Sequence, residues 1–337
     1  MSGVNLERLV MTSEVFLTVV VPVYNEEESL PHLCSQLYPV LESLEKTFEV
    51  IFVDDGSTDS SWDEIEKLAA ESNHVKAIRF RRNFGKADAL NAGFEIATGH
   101  VVFTLDADLQ DDPIEIPRFL EKMQKESIDV ISGWKKKRYD PWHKVLPSRV
   151  FNWLVSKLTG VKLHDHNCGF KCYRGEVVKD VHLYGEMHRF VPVLAAARGW
   201  TTGEIVVNHR PRQHGKSKYG VRRIFKGFLD LLTVYVLTSF RQRPQHLLGA
   251  LGLLFFAVGG VGLSILTGIK IYTKFDADDG EFILHTSAYF YYSIVAILLG
   301  AQCLSVGVLA ELTNSHSKEP TYAVSERLGQ SNEQSEL

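Results

Sequence analysis

Asp106 and Asp108 stand one residue apart in Thr104-Leu-Asp-Ala-Asp-Leu-Gln-Asp-Asp-Pro113, directly after the apolar run His100–Leu105. An Asp-x-Asp at the end of a strand puts both carboxylates on one side of an extended backbone, one strand repeat apart. Such hard anionic oxygens suit Mg²⁺ or Mn²⁺ without filling the ion's shell, which leaves positions for a diphosphate. Gln110, two residues further on, adds a neutral oxygen. A bound ion would stabilise the charge that appears as a diphosphate leaves. The plainer reading is an acidic turn that starts the next helix, since Asp111, Asp112 and Pro113 suit a helix N-terminus. The neighbouring elements decide between the two.

Short β-branched runs alternate with helical stretches through the first part of the chain. Strands are expected at Phe16–Val23, Phe48–Val53, Val75–Phe80, Val101–Leu105 and Asp129–Ser132, with helices near 27–46, 59–72, 86–97 and 113–126. Continuously apolar strands separated by helices imply a parallel sheet covered on both faces. In such sheets ligands lie beyond the carboxyl ends of the strands. The segments following the strands are Tyr24-Asn25-Glu26-Glu27, Asp54-Asp55-Gly56-Ser57, Arg81-Arg82-Asn83-Phe84-Gly85-Lys86 and Asp106-Ala-Asp108. All therefore fall on one sheet edge, which favours a binding site over a simple cap. There Asp55 can accept hydrogen bonds from a base or ribose, and Tyr24 offers a ring for stacking. No Gly-x-Gly-x-x-Gly follows the first strand and no P-loop signature occurs, which argues against a dinucleotide cofactor or a P-loop.

From about 134 to 212 the alternation loosens. This part holds a basic patch Lys135–Arg138, a loop His164-Asp-His-Asn-Cys168, and expected strands at Gly169–Tyr173 and Glu204–Val207. It reads as the acceptor side of the same domain. His164, His166, His209 and His214 lack metal-like spacing and read as polar loop residues. Cys34, Cys168, Cys172 and Cys303 contain no CxxC pair, so neither a zinc site nor a disulfide framework is expected.

The chain has 337 residues, 45% hydrophobic and 23% charged, with a net charge of −4, a balance that does not suggest nucleic-acid binding. Residues 1–14 carry charges and lack a signal-like apolar core. The last third changes character: Leu247–Ile269 and Phe282–Ala310 carry no charge and are long enough to cross a bilayer. Lys216, Lys218, Arg222, Arg223, Lys226, Arg241 and Arg243 precede the first run, and the loop between the runs is acidic. The positive-inside rule then puts the large domain and both termini in the cytoplasm. Ile224–Phe240 is short, apolar and broken by Asp230, as expected of a helix lying in the membrane interface. The divisions are a tail 1–14, a catalytic domain 15–220, an interfacial helix with its basic flank 221–246, a two-helix anchor 247–311, and a polar tail 312–337.

VVVPVYNEEESL, VDDGSTDSS, RNFGKADALNAGF, LDADLQDDP, CGFKCYR and RQHGKSKYG resemble, in order and spacing, the family 2 glycosyltransferases of GT-A fold. They are particularly similar to the polyprenyl-phosphate glycosyltransferases, the dolichol-phosphate mannose synthases and their bacterial undecaprenyl-phosphate relatives. The resemblance covers about 15–220, and the two spans match the bacterial subgroup. It implies an α/β, Rossmann-like, mainly parallel sheet that inverts configuration while moving one sugar from a UDP- or GDP-sugar to a polyprenyl phosphate. By position it implies a nucleotide-sugar site of Pro22, Tyr24, Asn25, Glu26, Asp55, Lys86, Asp106 and Asp108, with Asp108 and Gln110 on Mg²⁺ or Mn²⁺. Asp165 falls where the family keeps an acid at the reaction centre, which makes Asp106, Asp108 and Asp165 the catalytic set. Lys171 stands where many members have arginine, so bidentate geometry does not carry over.

A lipid phosphate is already ionised at neutral pH, so it needs desolvation and positioning more than a base. Lys171, Arg212, Lys216, Ser217 and Lys218 are suited to hold it. Sugar, base, lipid length and any homo-oligomer are left open. A processive polysaccharide synthase would carry Gln-x-x-Arg-Trp, whereas Arg198-Gly-Trp200 lacks the glutamine and the spacing. A non-catalytic sugar-nucleotide sensor is the alternative of another class, and intact Asp106, Asp108 and Gln110 argue against it.

Overall fold

Alternate residues of the first strand face opposite ways, and both faces are covered. In β1 (Leu17–Val23), Val19 and Val21 enter one buried cluster and Val20 the other. The computed structural model describes residues 15–136, 142–183, 185, 187–210, 222–239, 244–275 and 283–315. They fall into two compact units that divide after Thr238.

In the first unit β1 is joined by β2 (Phe48–Asp54), β3 (Val75–Arg79), β4 (Val101–Thr104), β5 (Val130–Trp134), β6 (Lys171–Arg174) and β7 (Thr202–Val206). The seven strands lie in the order β3-β2-β1-β4-β6-β5-β7. Every expected strand forms, with ends shifted by up to about two residues. All pairings are parallel except those of β6, which runs antiparallel to both β4 and β5. One face is covered by α1 (Leu30–Ser43), α2 (Ser61–Glu71) and α4 (Ile116–Glu126), with Leu33, Leu37, Ile65 and Phe119 in its core. The other is covered by α3 (Lys86–Ile96), α6 (Gly175–Asp180) and α7 (Val191–Ala197), with Leu90, Phe94, Val177 and Val191 buried. The sheet is thus wound on both sides, and the strand ends of β1, β2, β3 and β4 share one edge.

An element that the sequence pattern does not reveal is α5 (Trp142–Thr159). Its apolar residues divide between two surroundings: Val155 is buried, while Leu146, Val150 and Trp153 are exposed. It packs through Phe151, Leu154 and Val155 against Leu231 and Val234 of α8 (Arg222–Ser239). Helix α8 occupies the segment expected as an interfacial helix, and it exposes Phe228, Leu229 and Leu232.

The second unit pairs α9 (Pro244–Phe275) with α10 (Ala288–Ser315). Both helices are long and apolar enough to cross a membrane, with mean hydropathy 2.1 and 2.2 over their most apolar windows. The second begins later than expected because Leu284–Thr286 form a 3-10 turn, and it continues through Ser315, into what reads as the tail. Glycine sets the helix spacing: a Cβ at Gly252 would lie 2.9 Å from the Gly300 carbonyl oxygen. Small residues at such crossings let helix backbones approach closely in lipid.

Candidate active site

The chain after β4 does not continue as a strand. It leaves the sheet at Leu105 and turns, with Leu109 in the left-handed region at φ 60°. The extended spacing expected for Asp106 and Asp108 is therefore replaced by a tight turn. This turn, rather than strand alternation, brings the acids near one another. The capping reading holds for one residue: Asp112 accepts from the Ile114 amide at 3.3 Å ahead of α4.

Each acid of the turn has a different restraint. Asp106 is bonded by the Lys86 ammonium at the start of α3. Burial would raise the Asp106 pKa, but Lys86, Lys135 and Lys171 outweigh it and hold the carboxyl below its usual range. Asp108 is buried, and its Oδ1 accepts from the Gln110 amide at 3.2 Å. Fully buried Asp111 pairs with Lys135 from the strand end of β5 at 3.0 Å. Lys135 stays protonated despite burial because Asp111 and Asp106 favour its charge. Asp112 meets the Arg210 guanidinium, whose Nη1 also donates to Gln36 Oε1 on α1 at 2.6 Å. Arg210 N donates to Gln110 O at 2.9 Å, tying the turn to the segment after β7. Lys135 is thus not part of an exposed basic patch: its partner lies across two strands.

The β1 loop contributes a second wall. Asn25, at φ 54°, accepts the Thr58 amide on Oδ1 at 2.8 Å, and the Glu26 amide donates to Ser61 Oγ at 2.8 Å. Pro22 and Tyr24 lie beside them, partly exposed. Asp55 accepts the amides of Phe84 at 2.7 Å and Gly85 at 3.0 Å. It is therefore first a clasp between β2 and the loop leading to Lys86. Burial raises its pKa, and those two amides oppose the shift.

Antiparallel β6 and the loop before it bring the remaining groups. A Cβ at Gly169 would fall 2.4 Å from Asp106 Oδ2, so only glycine fits beside that carboxylate. Lys171 is buried, its ammonium bonded to the Cys168 carbonyl, and burial lowers its pKa to about 8. The charges of Lys86, Asp165 and Asp106 all act on it, so these residues form one cluster. Asp165, also buried, accepts the Asn167 amide on Oδ1 at 3.1 Å. His166 is fully buried rather than a surface loop residue, and burial lowers its pKa to about 4. His209 is buried as well, whereas His164 stacks on Trp134 at 4.1 Å and pairs with Glu204. Arg198 and Trp200 both bond Asp180, a structural role unlike that of the polymerase motif.

Arg212, Lys216, Ser217, Lys218 and His214 lie outside the described residues. Lys135, Asp111, Gly169 and Arg210 are absent from the sequence-derived site. Of these, Gly169, within Cys168-Gly-Phe-Lys171, and Asp111, within Leu105–Pro113, carried a motif signal.

The donor chemistry of the acidic turn is compatible with a divalent ion only if a ligand and water share its shell. Asp106, Asp108 and Gln110 are hard oxygen donors, and no group of at least three His, Cys, Asp or Glu forms a cage among the described residues. An ion here would complete its shell with ligand oxygens and water, as Mg²⁺ commonly does.

Residues 18–181 match the family model described as glycosyl transferase family 2. A dodecaprenyl-phosphate galacturonate synthase of Rhizobium johnstonii is 37% identical over 304 residues, covering 88% of this chain and 87% of that protein. An undecaprenyl-phosphate 4-deoxy-4-formamido-L-arabinose transferase of Proteus mirabilis is 36% identical over 320 residues, covering 93% and 94%. Among solved structures, glucosyl-3-phosphoglycerate synthase of Mycobacterium tuberculosis with Mn²⁺, uridine diphosphate and phosphoglyceric acid superposes with TM-score 0.52. It is 16% identical and covers 67% of this chain and 78% of that one, a likeness of fold.

Proposed function

Because the chain belongs to glycosyltransferase family 2, we propose that it moves one sugar from a nucleotide sugar to a polyprenyl phosphate, at the cytoplasmic face of a membrane. The observation that carries this reading is the charge cluster in which the Lys86–Asp106 ion pair abuts Gly169, with the Lys171 ammonium bonded to the neighbouring Cys168 carbonyl. One side of that cluster suits a leaving diphosphate, and the other an incoming phosphate. The full-length similarity to transferases named for polyprenyl phosphates supports this acceptor class.

Chemically, a phosphate oxygen attacks the anomeric carbon as the bond to the diphosphate oxygen breaks, and its electron pair leaves with the diphosphate. Attack opposite the leaving group inverts the centre. The nucleophile is already an anion, so no proton must be removed. The chain's task is to hold two anions in line. Lys86 keeps Asp106 ionised and fixed, Asp55 sets the loop carrying Lys86, and Tyr24, Asn25, Glu26 and Pro22 wall the nucleoside. Asp108 and Gln110 would hold Mg²⁺ or Mn²⁺, which when bound supplies positive charge to the leaving diphosphate. Lys171, with Arg212, Lys216, Ser217 and Lys218, would hold the lipid phosphate, and Asp165 would orient the acceptor or sugar. Uridine is the favoured base.

The exposed apolar face of α8, in a segment opened by Arg222 and Arg223, supports its lying in the membrane interface. With α9 and α10 both crossing, N- and C-terminal tags are reached from the same, cytoplasmic side. Tags on opposite sides would remove one span.

The test of the reaction is a panel of labelled nucleotide sugars incubated with membranes containing undecaprenyl phosphate. The expected result is one labelled sugar per extractable lipid. Label in a long polymer would point to a processive synthase, and no label in lipid with tight nucleotide binding to a sensor.

A further inference from the structure

The loop that carries Asp165 is gripped on both sides of that residue by one helix. Asn152 of α5, itself buried, donates from Nδ2 to His164 O at 3.0 Å and accepts Asn167 Nδ2 on Oδ1 at 3.1 Å. One turn later, Ser156 Oγ donates to Leu163 O at 3.0 Å and lies 3.0 Å from His166 Nε2. Having spent its proton on Leu163, Ser156 accepts from the ring, so Nε2 carries a hydrogen, and burial favours the neutral ring. Residues 163, 164, 166 and 167, on both sides of Asp165, are thereby fixed to α5. From the sheet side, Ser132 Oγ donates to Asp165 O at 3.2 Å, and Glu204 Oε2 accepts the His164 amide at 2.7 Å.

We infer that Asn152 and Ser156 are positioning residues that fix the 163–167 loop and with it the placement of Asp165 at the Lys171 side of the site. A buried asparagine in a helix otherwise packed through Phe151, Leu154 and Val155 is a costly choice for stability alone, since an apolar side chain would fill that place without polar groups to satisfy. What it gains is a defined loop position, because a fully bonded buried network admits one arrangement. The chemistry at stake is charge placement: Asp165 acts on both Lys171 and His166, so a shift of the loop changes the field at the acceptor side and leaves the β1 and β2 loops untouched. This inference rests on the proposed role of Asp165.

The experiment is a double-mutant cycle between Asp165→Asn and either Asn152→Ala or Ser156→Ala, in the full-length protein in membranes. Each single variant is expected to lower kcat roughly tenfold to hundredfold, as small misplacements of reacting groups do. KM for the nucleotide sugar should stay within about twofold, as expected when an interaction made only in the transition state is lost. Ser156→Thr, which keeps the hydroxyl, should restore the rate. In the Asp165→Asn background the α5 changes should cost nothing further, because coupled residues are not additive. Multiplying losses, a parallel rise in KM, or no rescue by threonine would overturn the inference, as would full activity of both alanine variants. An active Asp165→Asn instead removes the proposed role of Asp165 itself, a result that the α5 variants alone do not give. If Asn152→Ala fails to fold, the Ser156 pair decides.

Discussion

Residues 15–134 and residues 142–210 meet at one edge of the sheet, but they reach it in different ways. In the first segment each strand ends in a polar loop, and the loops are held by main-chain amides and short side chains: Asn25 on Thr58, Asp55 on Phe84 and Gly85, Asp108 on Gln110. In the second, side chains of α5 and an antiparallel strand deliver the groups, and Lys171 and Asp165 arrive buried. A site made from strand ends tolerates change in the helices behind it. A site made from helix side chains does not. The donor side should therefore break at its own residues, and the acceptor side should also break at a distance.

The largest effect should come where the two segments touch. Gly169→Ala places a Cβ against the Asp106 carboxylate and should cut transfer by roughly a hundredfold or more, since about an ångström of misplacement has that cost. Thermal melting should show a smaller loss, about 1–3 kcal/mol for overpacking. A normal rate in this variant would mean that the contact relaxes and that the two sides are not rigidly joined.

Within the donor side, Asp108→Asn and EDTA should each remove most activity, on the order of a hundredfold, because an ion facing a leaving diphosphate stabilises several kcal/mol of developing charge. Nucleotide-sugar transfer in the presence and absence of Mn²⁺ gives the answer. A fully active Asp108→Asn protein would sink the metal assignment.

On the acceptor side, Arg212→Ala and Lys218→Ala should raise KM for polyprenyl phosphate about tenfold to hundredfold, the value of a charge-assisted hydrogen bond. Nucleotide binding, measured separately, should hardly move. Wild-type lipid kinetics in both would leave these residues as a membrane flank.

The mildest effect concerns pH. Lys171 is lowered from 10.5 to about 8 by burial, so its charge disappears as pH rises through 8. Transfer that needs this charge should decline above pH 8, and Lys171→Arg should remove that decline, since a guanidinium keeps its proton. The sign for stability is opposite to that of a salt-bridged lysine. The unfolded chain binds this proton more tightly, so stability gains as pH rises from 8 towards 10.5. An unchanged alkaline limb in Lys171→Arg would assign it to another group.

The same contrast explains what the sequence discloses. Strands β1, β2, β4 and β5 are buried on both faces and read as apolar runs, and the polar loops after β1, β2 and β4 stand next to them in the chain. Even Asp112, as a cap, is visible from Pro113. Helix α5 is obscured because Leu146, Val150 and Trp153 are exposed while Asn152 is buried, the reverse of the usual pattern, and because Pro147 lies within it. Lys135 reads as part of a basic patch because its partner Asp111 is on another loop, and the pairing exists only after β6 has separated β4 from β5. The turn at Leu109 is equally hidden, since nothing in its residue type calls for a positive φ.

Strand β6 also fixes an order of assembly during synthesis. Strands β1, β2 and β3 can pair as soon as they are made, and β4 joins them through β1. Its other edge stays open, because β5, although made sooner than β6, pairs only with β6 and β7. An open apolar strand edge invites pairing with other chains. At usual rates of translation that interval lasts roughly several seconds, until residues 171–174 have been made. A nascent chain stopped within it would hold the acidic turn without Gly169 or Lys171 beside it. The strand that closes the sticky edge is thus also the one that brings Gly169 and Lys171 beside the acidic turn.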